Sequence, residues 1–128
     1  GKACVVKVVM TGGADDDTFW YFAISDSGVT SATRDWIVDF AGGAGGDAIN
    51  LSRIDANSKV AGNDAFKFIV TNVGWLGTAG ELRSVWSSIG QIIEGDTNGD
   101  KVADFSIFII DVGHTIELSN VNGVDFVL

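Results

Sequence analysis

The chain has 128 residues, of which 46% are hydrophobic and only 20% charged, which suits one domain with a packed core and excludes wholesale disorder. Eight Lys and Arg against seventeen Asp and Glu leave a net charge of −9, so a phosphate backbone would be repelled and nucleic acid is excluded as a partner. One Cys and one His exclude an internal disulfide and any site built on two imidazoles.

Gly1 to Met10 is too short and too β-branched for an N-terminal signal peptide, and no run approaches the ~20 apolar residues of a membrane-spanning helix. Within it, Cys4 to Met10 reads as the first strand, with Cys4 a small buried residue. Thr18-Phe19-Trp20-Tyr21-Phe22 is an aromatic strand between Asp15-Asp16-Asp17 and Ser25-Asp26-Ser27-Gly28. Asp35 to Phe40 is the next, ending at the glycine loop Gly42-Gly43-Ala44-Gly45-Gly46. Ser52 to Ala56 has room for one or two helical turns, with Asn50 or Ser52 as N-cap. Ala65 to Val70 alternates, Phe66 and Phe68 on one side and Lys67 on the other, and Thr78-Ala79-Gly80 is a turn or short helical piece. Glu81 to Trp86, Gln91 to Glu94 and Phe105 to Val112 complete the strands.

This pattern predicts an all-β domain spanning residues 1–128, a β-roll or β-sandwich of about seven to nine strands with one or two short helical turns. No unit of 20–50 residues is seen to repeat. Several strands are apolar on both faces: Phe105, Ile107 and Ile109 fall on one, Phe108 and Ile110 on the other. A small sheet with one core needs a single apolar face, so the second is covered by another layer of the chain or by a partner.

Gly12-Gly13-Ala14-Asp15-Asp16-Asp17-Thr18-Phe19-Trp20 resembles the last calcium-binding nonapeptide, Gly-Gly-x-Gly-x-Asp-x-apolar-x, of a repeats-in-toxin (RTX) protein, with Asp15 at the fourth position in place of glycine. Further segments extend the likeness, among them Ile49 to Asn57, Gly80-Glu81-Leu82-Arg83, Glu94 to Asp100 and Asp125-Phe126-Val127-Leu128. Together they resemble the C-terminal domain of serralysin-type secreted metalloproteases over nearly the whole chain. The resemblance implies a β-roll and β-sandwich module that follows a protease domain, binds calcium outside the cell, and carries an uncleaved signal for type I secretion. Residues 11–20 would then be the remnant of one RTX repeat, and Asp125, Phe126, Val127 and Leu128 the secretion signal. The upstream domain of the parent protein and the secretion apparatus are the implied partners. Trp20, Trp36, Val70, Trp75, Leu76, Trp86, Phe108 and Ile110 stand where such a domain usually has polar or small residues, as in a scaffold with one surface made apolar by divergence or engineering.

Calcium needs six to eight oxygens, and one nonapeptide turn supplies half a cage. Asp15, Asp16 and Asp17 therefore read as a solvated acidic loop, with Asp17 kept as a candidate ligand. A stronger candidate is Asp96-Thr97-Asn98-Gly99-Asp100-Lys101-Val102-Ala103-Asp104, which puts Asp96, Asn98, Asp100 and Asp104 at positions 1, 3, 5 and 9 of an EF-hand-like loop. Lys101 takes the sixth position, where glycine usually accepts positive φ, at a cost of about 1 kcal/mol, and Ile107 stands in place of a twelfth-position Glu. The loop thus binds calcium weakly or is a hairpin turn held by Asx hydrogen bonds. His114, without a second His or a paired Cys, is read as a turn residue, and a zinc-protease centre is excluded because its motif needs two His.

Two functions are compatible with these residues. One is a non-catalytic module acting in type I secretion and in capping and folding a calcium β-roll. The other is a binding or self-assembly module in which Trp20, Trp36, Trp75, Trp86, Phe108 and Ile110 form an apolar face for a protein partner or a second copy. No motif supports an enzyme.

Overall fold

The strands fall into two sheets. Residues 9–13, 17–30, 33–41, 46–71, 73–111, 113, 116, 118 and 125–128 are described by the computed structural model, the side chains of 25, 70 and 71 excepted. Cys4, Asp15, Asp16, His114 and the Val70 side chain, singled out above, lie outside that set. The strands are β1 (Val9–Met10), β2 (Thr18–Trp20), β3 (Asp35–Ile37), β4 (Ala48–Asn50), β5 (Lys67–Thr71), β6 (Glu81–Ser87), β7 (Gly90–Asp96), β8 (Phe105–Ile110) and β9 (Phe126–Val127). A six-stranded sheet has the order β1-β3-β8-β7-β6-β5, and a three-stranded sheet the order β2-β4-β9. The all-β expectation holds. Among the described residues the helical content is a 3-10 turn at Ile24–Asp26, where Asp26 Oδ2 accepts from the N–H groups of Phe22 and Ala23. Residues 52–56, read from sequence as helical, form turns instead, closed by Ile54 N–H to Leu51 C=O at 3.0 Å.

β1, β3 and β8 are parallel, and so are β2, β4 and β9. The chain therefore winds as three stacked coils, β1–β2, β3–β4 and β8–β9, with residues 51–104 inserted before the last. The insert adds β5, β6 and β7, of which β6, β7 and β8 are antiparallel neighbours and β5 and β6 are parallel.

The coil interior is filled by alternation along each strand. Phe19, Ile49 and Phe126 form a cross-strand row on the three-stranded sheet. Ile37, Ile93, Phe105, Ile107, Ile109 and Leu82 face them from the other sheet, all fully buried. Phe66 lies over Gly95, where a Cβ would come within 2.8 Å of its ring. Any side chain there would push the aromatic out of the core.

A hydrogen-bonded polar network is built into this interior. The Tyr21 ring meets Phe105 edge-on at 5.4 Å, and its hydroxyl donates to Asp35 Oδ2 at 3.2 Å. Asp35 N–H in turn donates to Ser27 Oγ, whose hydroxyl donates to the Ser106 carbonyl. Burial, followed by the neighbouring Asp35 charge, pushes the phenol far above its usual value. A group raised on folding contributes stability that is intact below the unfolded pKa and is lost as pH climbs beyond it. With a single tyrosine in the chain, spectrophotometric alkaline titration should show no phenolate near pH ~10 until the circular dichroism signal collapses. A phenolate in a still-folded chain would refute this burial. Tyr21→Phe should cost about 1–2 kcal/mol in denaturant unfolding by leaving Asp35 one donor short.

Candidate functional site

β7 ends at Asp96, and the next eight residues turn back to β8 around that one carboxylate. Asp96 is fully buried; its Oδ1 accepts from Asn98 N–H (3.1 Å) and Gly99 N–H (2.8 Å), and its Oδ2 from Lys101 N–H (2.9 Å). Asn98 Oδ1 accepts from Asp100 N–H, and Asp100 Oδ1 from Val102 N–H. Asp104 Oδ2 accepts from both the N–H and the hydroxyl of Thr97. Lys101 has φ 65°, the left-handed conformation that the sequence spacing anticipates. The Asx-braced hairpin turn drawn from the sequence is thus realised, on residues with EF-hand-like spacing.

The oxygens of Asp96, Asp100 and Asp104 lie within 4.8 Å of one another. Two ligands about 2.3–2.6 Å from a calcium ion span at most about twice that distance, so one ion can reach all three carboxylates. The donor set consists of hard oxygens and fits calcium. The Lys101 stem runs toward the neighbouring crossover, where a Cβ on Gly77 would come within 3.0 Å of its Cε.

Asp17 stands apart from this loop, in the first coil. Its N–H donates to Asp47 Oδ1 at 2.8 Å, a contact between residues thirty apart. Ala41 N–H donates to Asp47 Oδ2 at 3.0 Å. Asp39 plays the same part at the other end of the loops, accepting from Gly12 N–H (2.9 Å) and Gly13 N–H (2.7 Å). Carboxylates of the second coil thereby hold backbone donors of the first. The register explains the spacing: Thr18, Phe19 and Trp20 pair with Ala48, Ile49 and Asn50.

Carried back along the sequence, this register aligns Gly42-Gly43-Ala44-Gly45-Gly46-Asp47-Ala48-Ile49-Asn50 with Gly12 to Trp20 as a second nonapeptide sequence. The expectation that nothing repeats is corrected by this pairing. The signal is the complete Gly-Gly-x-Gly-x-Asp-x-apolar-x match at residues 42–50, part of which reads from sequence only as the glycine loop that ends the strand Asp35 to Phe40.

The six apolar positions do not form one surface. Trp36 packs on Phe108 at 4.8 Å between centroids, and Ile110 follows on the same outer face of the six-stranded sheet. Trp75 also lies on that side, over the guanidinium of Arg83 at 4.1 Å, while Arg83 pairs with Glu94 at 2.9 Å and donates to the Val73 carbonyl. Trp86 pairs with Gln91 and shares the opposite, core-facing side with Ser84 and Leu82, at an end where it stays 49% exposed. Trp20 belongs to the other sheet, stacked on Phe22 at 6.0 Å with Arg53 over the Phe22 ring. Period-2 alternation separates Trp86 from Trp36, whereas only the pairing pattern shows that Trp20 is in a different layer.

Asp125, Phe126, Val127 and Leu128 dock rather than dangle. Asp125 and Phe126 are fully buried, Asp125 C=O accepts from Ile49 N–H, and Val127 C=O accepts from Leu51 N–H, both at 2.8 Å.

The two backbone donations hold the Asp39 carboxyl below the usual carboxylate range. Its contribution is full above the unfolded pKa and is lost as pH falls through the lower folded value. Asp39→Asn should therefore flatten the acid limb of the stability–pH curve below about pH 4, as read by urea unfolding at successive pH values. Asp47→Ala should cost about 1–3 kcal/mol, because two backbone donors lose their acceptor. An unchanged urea midpoint would refute the bracing role.

A family model described as Peptidase M10 serralysin C terminal matches residues 1–122. No curated protein matches the chain.

Proposed function

Because the chain belongs to the serralysin C-terminal family of the M10 peptidases, the non-catalytic part of the protease, we propose that it caps a calcium β-roll and serves type I secretion of the protein that carries it. The observation carrying this reading is the edge left by the first coil. Among the described residues β1 pairs only with β3 and β2 only with β4, so both sheets present backbone donors and acceptors on the same side. A preceding coil of the same kind would continue both ladders, and an unpaired pair of edges is otherwise a liability. The upstream segment of a parent protein is its natural occupant.

Calcium enters this reading at two places. Asp96, Asp100 and Asp104, with Asn98 beside them, would hold one ion, whose double positive charge would offset most of the charge of the three carboxylates and fix the β7–β8 connection. The pairing of β2 with β4 sets Asp17 beside Asp47, so two nonapeptide loops rather than one would contribute to a cage there. Asp17 and Asp47 are the acidic residues those loops contribute at the nonapeptide Asp position.

Asp125–Leu128 lies beyond the stretch matched by the family model. As a secretion signal it is legible only before Phe126 enters the core, because a fully buried ring offers nothing to a receptor. Export would therefore take the chain before it folds, and an extracellular location follows.

An export assay through a type I apparatus tests the reading. A reporter fused ahead of this chain should be exported, and truncation after residue 124 should abolish export; export that survives the truncation refutes the signal role. In calorimetric titration, Lys101→Gly should bind calcium at least about tenfold more tightly than the wild type, since a strain of about 1 kcal/mol and a neighbouring positive charge are both removed. Asp96→Asn should bind none at that loop. Equal calcium affinity in all three proteins would refute the loop assignment.

A further inference from the structure

The sequence contains two Asn-Gly steps, Asn98-Gly99 and Asn122-Gly123, of which the second lies outside the described residues. Asn followed by Gly is the step of a polypeptide most open to deamidation, because no side chain shields the glycine nitrogen from the neighbouring carboxamide. At Gly99 the fold requires the glycine. Its φ is 77°, and a Cβ there would come within 2.9 Å of the Gly77 carbonyl oxygen and 3.1 Å of Ala79 N. The segment between β5 and β6 therefore leaves no room for a side chain. Asn98 braces the turn, its Oδ1 accepting from Asp100 N–H at 3.1 Å. A chemically labile pair is thus built into the acidic loop.

We propose that Asn98 is a spontaneous modification site, closed in the folded chain by Asp96 and open whenever the loop is unformed. In the reaction Gly99 N bonds to Asn98 Cγ, the Cγ–Nδ2 bond breaks, and ammonia leaves carrying the amide proton. Water then opens the five-membered imide at one of its two carbonyls, giving aspartate or isoaspartate.

Two observations oppose the first step in the folded chain. The imide nitrogen carries no hydrogen, whereas Gly99 N–H donates to Asp96 Oδ1 at 2.8 Å. Reaction would strip a fully buried carboxylate of one of its donors. Negative charge also builds on Gly99 N as it attacks, and the Asp96 carboxylate repels that charge from hydrogen-bond distance. Oxygens of Asp100 and Asp104 lie within 4.8 Å of the Asp96 oxygen and add to the repulsion. The isoaspartate product would carry one additional main-chain carbon before Gly99, which moves the Gly99 and Lys101 N–H groups off Asp96. A chain modified while unfolded would refold without that brace.

Peptide mapping by mass spectrometry over a time course, in buffer containing a chelator, tests this. Deamidation at Asn98 of the wild type should be at least about tenfold slower in the folded chain than in concentrated urea. In urea, Asn122-Gly123 reports the rate of an open Asn-Gly step. A synthetic peptide of residues 94–104, followed in both solutions, corrects for the effect of urea itself. Asp96→Ala, shown to be folded by circular dichroism, should deamidate at Asn98 at least about tenfold faster than the folded wild type. Folded wild type that loses Asn98 as fast as the unfolded chain overturns the proposal, whether or not the variant folds. A folded Asp96→Ala that keeps the wild-type rate overturns the role given to Asp96. Neither calcium binding nor export enters this chemistry, which stands or falls by these rates alone.

Discussion

Carboxylates that accept backbone N–H groups from a neighbouring turn are the interaction on which the rest of the molecule depends. Asp39 holds Gly12 and Gly13, and Asp47 holds Asp17 and Ala41. Asp96 gathers three amides of its own loop. An Asp accepting several amides fixes a glycine-rich loop that has no side chains to pack, and it fixes the register of the strand that follows. That register decides which aromatics enter the core. A slip of one residue between β2 and β4 would turn Phe19 outward and Trp20 inward.

The same device explains how an acidic chain can be rich in apolar residues. Much of the negative charge is placed where it substitutes for missing sheet or turn hydrogen bonds, at coil ends and hairpins. Asp47, Asp96 and Asp125 are almost fully buried. Alternation is then free to fill both faces of β8 with aromatic and branched residues, one facing the core and the other the outer side of the six-stranded sheet, where Phe108 is buried as well.

Composition and turn spacing were enough to read the all-β class and most strands, because Val, Ile and Phe in period-2 runs leave few other options. β4 and β9 were not legible as strands. Each has only three or two residues in a ladder, and what makes them strands is the neighbour they pair with, not their own propensity. The acidic cluster of Asp96, Asp100 and Asp104 was readable because its members are close in sequence. The supposed Trp-rich face was not, since Trp20, Trp36 and Trp86 come from different sheets or different sides of one sheet. Trp36, Phe108 and Ile110 share the outer face of the six-stranded sheet, with Trp75 over Arg83 on the same side, and β8 itself already carried part of that signal in Phe108 and Ile110.

The last coil is assembled across an insertion. Phe126 completes a row begun by Phe19 and Ile49, with β5, β6 and β7 lying between in the chain. During synthesis the three-stranded layer therefore has to wait for its final member, and the contacts that close it are among the most distant in sequence. Loop closure of that length is slow, so the six-stranded sheet, whose β6, β7 and β8 are chain neighbours, can form before the three-stranded layer zips shut.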